Sequence, residues 1–152
     1  MRVLQHRLAR HRVVGLDSMI FIYQVENHPL YQPAAHVVLG DVQRGVYRGV
    51  TSTITLMELT VHPWRAGVGA AAREYEVLLA NFPHLTLVDV TRDVARRAAQ
   101  LRGVYGVSPT DAIQAASALI QGATALVTND MGLRRLESLL EVVILDDFLA
   151  QG

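Results

Sequence analysis

The sequence contains no cysteine and no lysine, and its formal net charge is zero. The absence of cysteine excludes a disulfide-stapled fold, a cysteine zinc site and thiol catalysis. The balance of 14 basic and 14 acidic residues excludes a global electrostatic attraction to nucleic acid or to a membrane surface. All the basic residues are arginine, a bias that codon usage in a GC-rich genome explains more simply than a preference for phosphate.

No signal peptide is recognisable, because Met1 to Arg12 holds four arginines and no apolar run. The longest uncharged stretch, 112–129, contains Gln114 and Ser117, and it predicts a helix, a turn and a strand rather than a membrane span. With 51% hydrophobic and 18% charged residues in 152 positions, the chain is expected to fold as one domain with a real core. We expect a cytoplasmic protein with no membrane partner, formed by residues 1–152 with a detachable basic arm at 1–12.

Short apolar runs alternate with longer helical segments along the chain. Strands are predicted at 13–16, 47–52, 85–88, 125–128 and 142–145. Helices are predicted at 18–25, 32–44, 54–61, 67–81, 91–103, 109–121 and 133–139. Helix-breaking residues are expected to end two of these helices: Pro63 follows the third, and Gly103 ends the fifth.

This alternation predicts a three-layer α/β/α sandwich around a central parallel sheet of four to five strands. Ligands of such sheets bind outside the carboxyl ends of the strands. The residues that follow each strand are therefore the candidates for function.

Four acids occupy positions that this fold brings to one edge of the sheet. Asp17 directly follows the first predicted strand, and Asp130 follows the strand 125–128 after Asn129. Glu58 lies on the helix after the second strand. Asp111 lies in the first turn of the helix that begins with Ser108.

Three of the acids have a simpler structural explanation. Asp17 could cap the helix that begins at Ser18. Asp111 fits the third helical position after a Ser108 cap, in a variant of the capping box. Asp130 could be an ordinary turn aspartate.

Glu58 is harder to explain structurally, because its helix is apolar nearly all round. Burying a carboxylate without a partner is costly. Glu58 is therefore expected to meet an arginine, to be protonated or to face a cation. A metal shared with His62, four residues further on, is an alternative with weaker support.

A cluster of four carboxylates is mutually repulsive unless a cation lies among them. Hard oxygen ligands without cysteine or histidine favour Mg²⁺ or Mn²⁺ over zinc. Such sites activate water and stabilise oxyanions at phosphorus, so the pattern predicts hydrolysis of a phosphodiester. The chain contains no P-loop and no nucleophile elbow, and the glycines at 67 and 69 do not follow a strand.

The segments GLDSMIFIY, TSTITLMELT, SPTDAIQAASA and ALVTND resemble the PIN-domain ribonucleases, and within them the VapC-like toxins of bacterial toxin–antitoxin pairs. The resemblance extends from Val13 to about Leu145. It places the family's acidic quartet on Asp17, Glu58, Asp111 and Asp130, and its polar helper on Thr128. It implies a cofactor, Mg²⁺ or Mn²⁺, an RNA substrate, a homodimer and an inhibitory antitoxin.

In this interpretation Asp17 and Asp111 are the main metal ligands, with Asp130 completing the set directly or through water. Glu58 holds the metal or the attacking water. Two alternatives stay open: a stand-alone nuclease of RNA processing or DNA cleavage, and a catalytically silent binding module on the same fold.

The helical stretches 18–44 and 54–81 carry more apolar residues than one sheet face requires. Such a surplus indicates an interface, and we expect a homodimer with the antitoxin over the remaining groove. The residues concerned are Ile20, Phe21, Val37, Val38, Leu39, Leu56, Leu59, Trp64, Val77, Leu78 and Leu79.

Overall fold

The fold is described from a computed structural model for residues 1–149. The strands are β1 (Val13–Leu16), β2 (Arg48–Ser52), β3 (Leu85–Val88), β4 (Ala125–Thr128) and β5 (Glu141–Ile144). The helices are α1 (Arg2–Ala9), α2 (Ser18–Val25), α3 (Gln32–Gln43), α4 (Ile54–Arg65), α5 (Gly69–Ala80), α6 (Arg92–Tyr105), α7 (Pro109–Ile120) and α8 (Asp146–Leu149). A 3₁₀ helix spans Met131–Leu136.

The five strands form one parallel sheet in the order β3-β2-β1-β4-β5. The chain leaves β1 toward β2 on one side and later enters β4 on the other side. The crevice between the carboxyl ends of β1 and β4 is therefore the topological switch point, where open parallel sheets bind their ligands.

Helices cover both faces of the sheet, and each face has its own apolar core. One core joins Leu16, Ile20 and Val38 with the leucines of α1. The other joins Leu101, Ala115 and Leu126. The predicted α/β/α class with a parallel sheet is confirmed, and the sheet has five strands.

Helix α7 lies very close to β1, because small residues face each other there. A Cβ added to Gly15 would stand 2.7 Å from the Cβ of Ala118 and 2.9 Å from Leu126. Ala112 and Ala115 on the same helix are also fully buried. This close packing fixes α7, the helix whose first turn carries Asp111, against the sheet.

A buried amide ties α7 to β2 and α4. The Gln114 side-chain oxygen accepts a hydrogen bond from the Ser52 backbone N–H at 3.1 Å, and its amide nitrogen donates to Thr55 Oγ1 at 2.8 Å. Thr51 Oγ1 donates to the Leu16 carbonyl at 2.8 Å. Every partner here lies at or near the carboxyl end of a strand or at the start of α4, so the network braces the edge where the acids lie.

The first residues do not form a detachable arm. They form α1, in which Leu4 and Leu8 are fully buried. Beyond the helix, the His11 ring lies 2.7 Å from Thr124 Oγ1 and 2.8 Å from Glu141 Oε2. The prediction was wrong because the arginines of this segment occupy its outer face, while its two leucines, four residues apart, face the core.

Two helices run past the breakers that were expected to end them. Helix α4 continues through Pro63 to Arg65, because the missing N–H falls in the last turn and costs only one helical hydrogen bond. Helix α6 passes Gly103 and ends at Gly106, which adopts the left-handed conformation (φ 71°) and caps the helix through Arg102 O.

The last part of the chain differs in detail from the prediction. The helix expected at 133–139 is the 3₁₀ helix that begins after Asp130, and β5 starts one residue early, at Glu141. The short helix α8 was not predicted. None of the helices within residues 1–149 is both long and apolar enough to cross a bilayer.

Candidate active site

Asp17 is held at the end of β1 by two hydroxyl groups. Thr128 Oγ1 donates a hydrogen bond to Oδ2 at 2.7 Å, and Ser18 Oγ lies 3.3 Å from Oδ1. Asp17 is only 7% exposed and makes no side-chain capping bond to α2, so the capping explanation for it is wrong. Burial raises the pKa of Asp17, and the hydrogen bonds from the Thr128 hydroxyl, the Ser18 backbone and the Ser18 hydroxyl only partly offset that rise.

Ser18 connects Asp17 to Glu58. Its Oγ lies 3.0 Å from Glu58 Oε1, and its single hydroxyl hydrogen serves one of the two carboxylates at a time. Burial raises the pKa of Glu58, and the charge of Asp17 adds to the rise. Within residues 1–149 no arginine forms an ion pair with Glu58, which leaves protonation or a cation from the expected alternatives.

The surroundings of Glu58 are less apolar than its sequence suggested. Its side chain is half-buried at the rim, and Met57, Val61 and Trp64 on the same helix are each more than 40% exposed. His62 also faces solvent. Helix α4 therefore presents Glu58 to both the crevice and water.

Asp111 lies in the first turn of α7, opposite Asp130. The predicted cap is present, because Ser108 Oγ accepts a hydrogen bond from the Asp111 backbone N–H at 3.4 Å. The carboxylate itself is buried, and this burial, followed by the hydrogen bond and charge of Asp130, raises the pKa of Asp111 to about 7. Asp111 therefore occupies the predicted position after the helix cap and also lies close to a second acid, Asp130.

Asp130 opens the 3₁₀ helix and keeps the turn role that its sequence allowed. Its Oδ1 accepts a hydrogen bond from the Gly132 N–H at 2.8 Å, and its own N–H donates to Thr128 Oγ1 at 3.0 Å. Thr128 therefore links Asp130 to Asp17 through one hydroxyl group. The turn fixes the Asp130 carboxylate at the crevice beside Asp111.

All four candidate acids lie within electrostatic range at the switch point. Burial is the main cause that raises the pKa values of Asp17, Glu58 and Asp111, and neighbouring carboxylates raise them further: Asp17 acts on Glu58 and Asp111, and Asp130 acts on Asp17 and Asp111. Within residues 1–149, however, no three acidic or histidine side chains form a closed metal-ligand group. The acids are arranged as two linked pairs, Asp17 with Glu58 and Asp111 with Asp130.

The donor set suits a hard divalent cation. It contains carboxylate oxygens and the hydroxyl groups of Ser18 and Thr128, and neither sulfur nor imidazole is among these residues. A positive charge among the four acids would offset their mutual repulsion, which adds to the effect of burial in raising the pKa values of Asp17, Glu58 and Asp111. Because all of these donors are oxygen atoms and the acids are negatively charged, the residues fit Mg²⁺ or Mn²⁺.

Sequence reasoning missed two residues of this site. Ser18 was considered only as a residue beside a helix cap, and its bridge between Asp17 and Glu58 has no sequence signal. Gln114 lies three residues after Asp111, on the same side of α7, and that helical spacing was the available signal.

Comparisons with known proteins agree with this fold. A toxin–antitoxin complex from Klebsiella pneumoniae matches with 19% identity and a TM-score of 0.62, over 88% of this chain and 97% of that chain. VapBC2 from Rickettsia felis, bound to a promoter DNA fragment, matches with 18% identity and a TM-score of 0.65, over 86% and 96%. FitAcB from Neisseria gonorrhoeae matches with 17% identity and a TM-score of 0.63, over 88% and 97%. No curated protein matches the sequence at a significant level.

Residues 14–139 match the family model described as the PIN domain. The chain belongs to the PIN-domain family, a family of nucleases. The family resemblance stated from the sequence segments is thereby confirmed.

Proposed function

We propose that this protein is a Mg²⁺- or Mn²⁺-dependent endoribonuclease that hydrolyses RNA phosphodiester bonds and acts as the toxin of a toxin–antitoxin pair. The observation that carries the proposal is the set of four acids at the switch point, three of which have raised pKa values without a cationic partner in residues 1–149.

Each acid has a role that its surroundings support. Asp17 and Asp111 are the main metal ligands, and Asp130 completes the set directly or through water. When bound, the divalent cation makes a water molecule more acidic and stabilises negative charge on the phosphate oxygens. Glu58, at the solvent edge with a raised pKa, positions the attacking water and accepts its proton. Thr128 and Ser18 orient the Asp17 carboxylate.

The toxin role is supported by the fold likeness to a protein described as a toxin–antitoxin complex. An apolar cavity of about 160 Å³ between α2, α4 and α5 suits an apolar segment of an antitoxin. Phe21, Leu59, Leu78 and Phe82 contribute to its lining. A segment bound there would lie against α4, the helix that carries Glu58.

The proposed homodimer rests on a smaller surface than the sequence suggested. Trp64, Val77 and Leu78 on α4 and α5 are each more than 50% exposed, and Val37 and Leu56 are partly buried. The other six residues lie in the chain's own core: Ile20, Phe21, Val38, Leu39, Leu59 and Leu79. The exposed side of α4 and α5, marked by Trp64 and Val77, is the surface proposed to meet a second copy, whereas Leu78 also borders the cavity proposed for the antitoxin.

The activity is tested by incubating purified protein with single-stranded RNA. Cleavage is expected with Mg²⁺ or Mn²⁺ and not with EDTA, and Glu58→Gln should reduce it at least about a hundredfold. Glu137→Gln, at an exposed position between the 3₁₀ helix and β5, is the matched control and should cleave normally. Cleavage that survives EDTA would overturn the metal mechanism. If the purified protein alone cleaves no RNA under any condition but still binds an antitoxin, the silent binding module would be favoured.

A further inference from the structure

Two arginines that hold the loop before Asp111 differ from the other arginines of the chain. Arg102 Nε donates a hydrogen bond to the Val107 carbonyl at 3.3 Å, and Arg135 Nη1 donates to the Gly106 carbonyl at 3.0 Å. Within residues 1–149, these are the arginine side chains that bind main-chain carbonyls, and neither of them forms an ion pair. Their positive charges are therefore not neutralised by the protein.

The loop that they hold leads directly into the site. Residues 106–108 connect α6 to α7, and Asp111 follows in the first turn of α7. Arg102 comes from the last turn of α6, whereas Arg135 comes from the 3₁₀ helix that begins after Asp130. The Arg135 bond therefore joins the segment that carries Asp130 to the loop that precedes Asp111. Both arginines therefore hold the loop that leads into Asp111, and Arg135 lies on the same 3₁₀ segment that Asp130 opens.

Each guanidinium group keeps most of its hydrogen-bonding capacity for a ligand. A guanidinium group has five N–H donors, and one of them is used by the loop in each case. Both residues are exposed. The carbonyl bond restricts the side chain, so less conformational freedom is lost when an anion binds. A planar guanidinium group matches the two oxygens of a phosphate.

We propose that Arg102 and Arg135 form a phosphate-binding clamp for the RNA backbone, next to the acids that are proposed to cut it. The clamp rests on the proposed nuclease function and deepens it, because it assigns the basic residues that a protein with zero net charge needs at its site. It holds a phosphate that neighbours the scissile one and so positions the strand across the crevice.

The test is the salt dependence of RNA binding. Fluorescence anisotropy of a labelled single-stranded RNA of mixed sequence is measured in EDTA, where the proposed nuclease does not cleave, at several salt concentrations. Arg102→Met and Arg135→Met should each weaken binding about threefold and reduce the slope of log K against log salt by about 0.7, the value for one phosphate of a single strand. In the double variant, the slope of log K against log salt should fall by about twice as much as in either single variant. Arg102→Lys and Arg135→Lys should restore most of the slope, because they keep the charge.

Arg12→Met is the matched control, because Arg12 is exposed and precedes β1 at the opposite end of the sheet. It removes the same charge and should leave the slope unchanged. If wild type binds and cleaves RNA while the double variant keeps the slope of Arg12→Met, the clamp is wrong and the nuclease proposal stands. If wild type neither binds nor cleaves RNA, both proposals are wrong. If the arginines only brace the loop, cleavage falls in the Met variants while the slope does not change, which also overturns the clamp.

Discussion

Thr128 Oγ1 donates a 2.7 Å hydrogen bond to Asp17 Oδ2 across the crevice between β4 and β1. The same oxygen accepts the Asp130 N–H at 3.0 Å. One hydroxyl group therefore fixes the buried carboxylate on β1 relative to the turn that carries Asp130. Because the hydroxyl group stabilises the charged form of Asp17, it partly offsets the rise that burial causes in the pKa of this carboxyl group.

Thr128→Val should lower both stability and cleavage. The substitution keeps the shape of the side chain but leaves a buried carboxylate and an N–H group without their partner, at a cost of about 1–3 kcal/mol in the free energy of unfolding. The pKa of Asp17 should rise further. Thr86→Val, on the edge strand β3, removes a hydroxyl group away from the site and serves as the control. Equal denaturation midpoints and equal cleavage rates for the two variants would contradict the linking role.

Without metal, Asp111 should make the protein less stable as the pH rises. Its folded pKa, about 7, lies above its ordinary value of 3.8, so the folded state binds the proton more tightly than the unfolded state. The contribution of this group to stability is complete below pH 3.8 and is lost as the pH rises through about 7. Asp111→Asn should therefore flatten this part of the pH dependence, as measured by thermal melts in EDTA.

At pH 8 in EDTA, the Asp111→Asn variant should melt higher than wild type, because one repelling charge is gone. Mn²⁺ should raise the wild-type melting temperature, with about 2.7 kcal/mol of stabilisation at a hundred times its dissociation constant, and this shift should shrink in the variant. Asp93→Asn, on the exposed start of α6, is the control for a first-turn acid. If Asp111 only supports the start of its helix, the variant melts lower, by about 1 kcal/mol, and keeps the full Mn²⁺ shift.

Helix α1 should contribute to global stability. Leu8→Ala is expected to reduce the free energy of unfolding by about 2–5 kcal/mol, because it leaves a cavity in the core beneath α1. Val3→Ala on the same helix should have little effect, because Val3 is 51% exposed. Urea denaturation of the two variants decides the point, and an unchanged midpoint for Leu8→Ala would show that α1 does not support the core.

The exposed side of α4 and α5 should mediate self-association. Light scattering at micromolar concentration should show a dimer for wild type and a monomer for Trp64→Asp, because Trp64 is 56% exposed on that side. Val104→Asp, on the exposed side of α6, is the control and should stay dimeric. A monomeric wild type would contradict the homodimer directly.

The sequence predicted those parts of the site that strand ends determine. Asp17 and Asp130 follow β1 and β4, and the strand-end rule for parallel sheets was enough to bring them together. Ser18 was missed because its bridge to Glu58 depends on where α4 packs. The bond from Arg135 to Gly106 O spans 29 positions and depends on tertiary packing, which no local pattern encodes.

Two local sequence rules gave wrong boundaries. Pro63 did not end α4, because it lies in the last turn, where its missing N–H removes only one helical hydrogen bond. The arginines of the first twelve residues suggested a solvated arm, yet two leucines were sufficient to dock it as α1. The core against which these leucines pack is distant in sequence, so a local pattern does not encode the contact.

Asp17, Glu58, Asp111 and Asp130 are proposed to form a binding site for a divalent cation. A crystal of the full chain soaked in Mn²⁺ and recorded for anomalous scattering tests it most directly. We expect an anomalous peak in the crevice between β1 and β4, within about 2.0–2.3 Å of carboxylate oxygens of Asp17 and Asp111. The peak should be lost in Asp17→Asn. A soaked crystal with no peak among these acids, or with Mn²⁺ bound only elsewhere, would contradict the account.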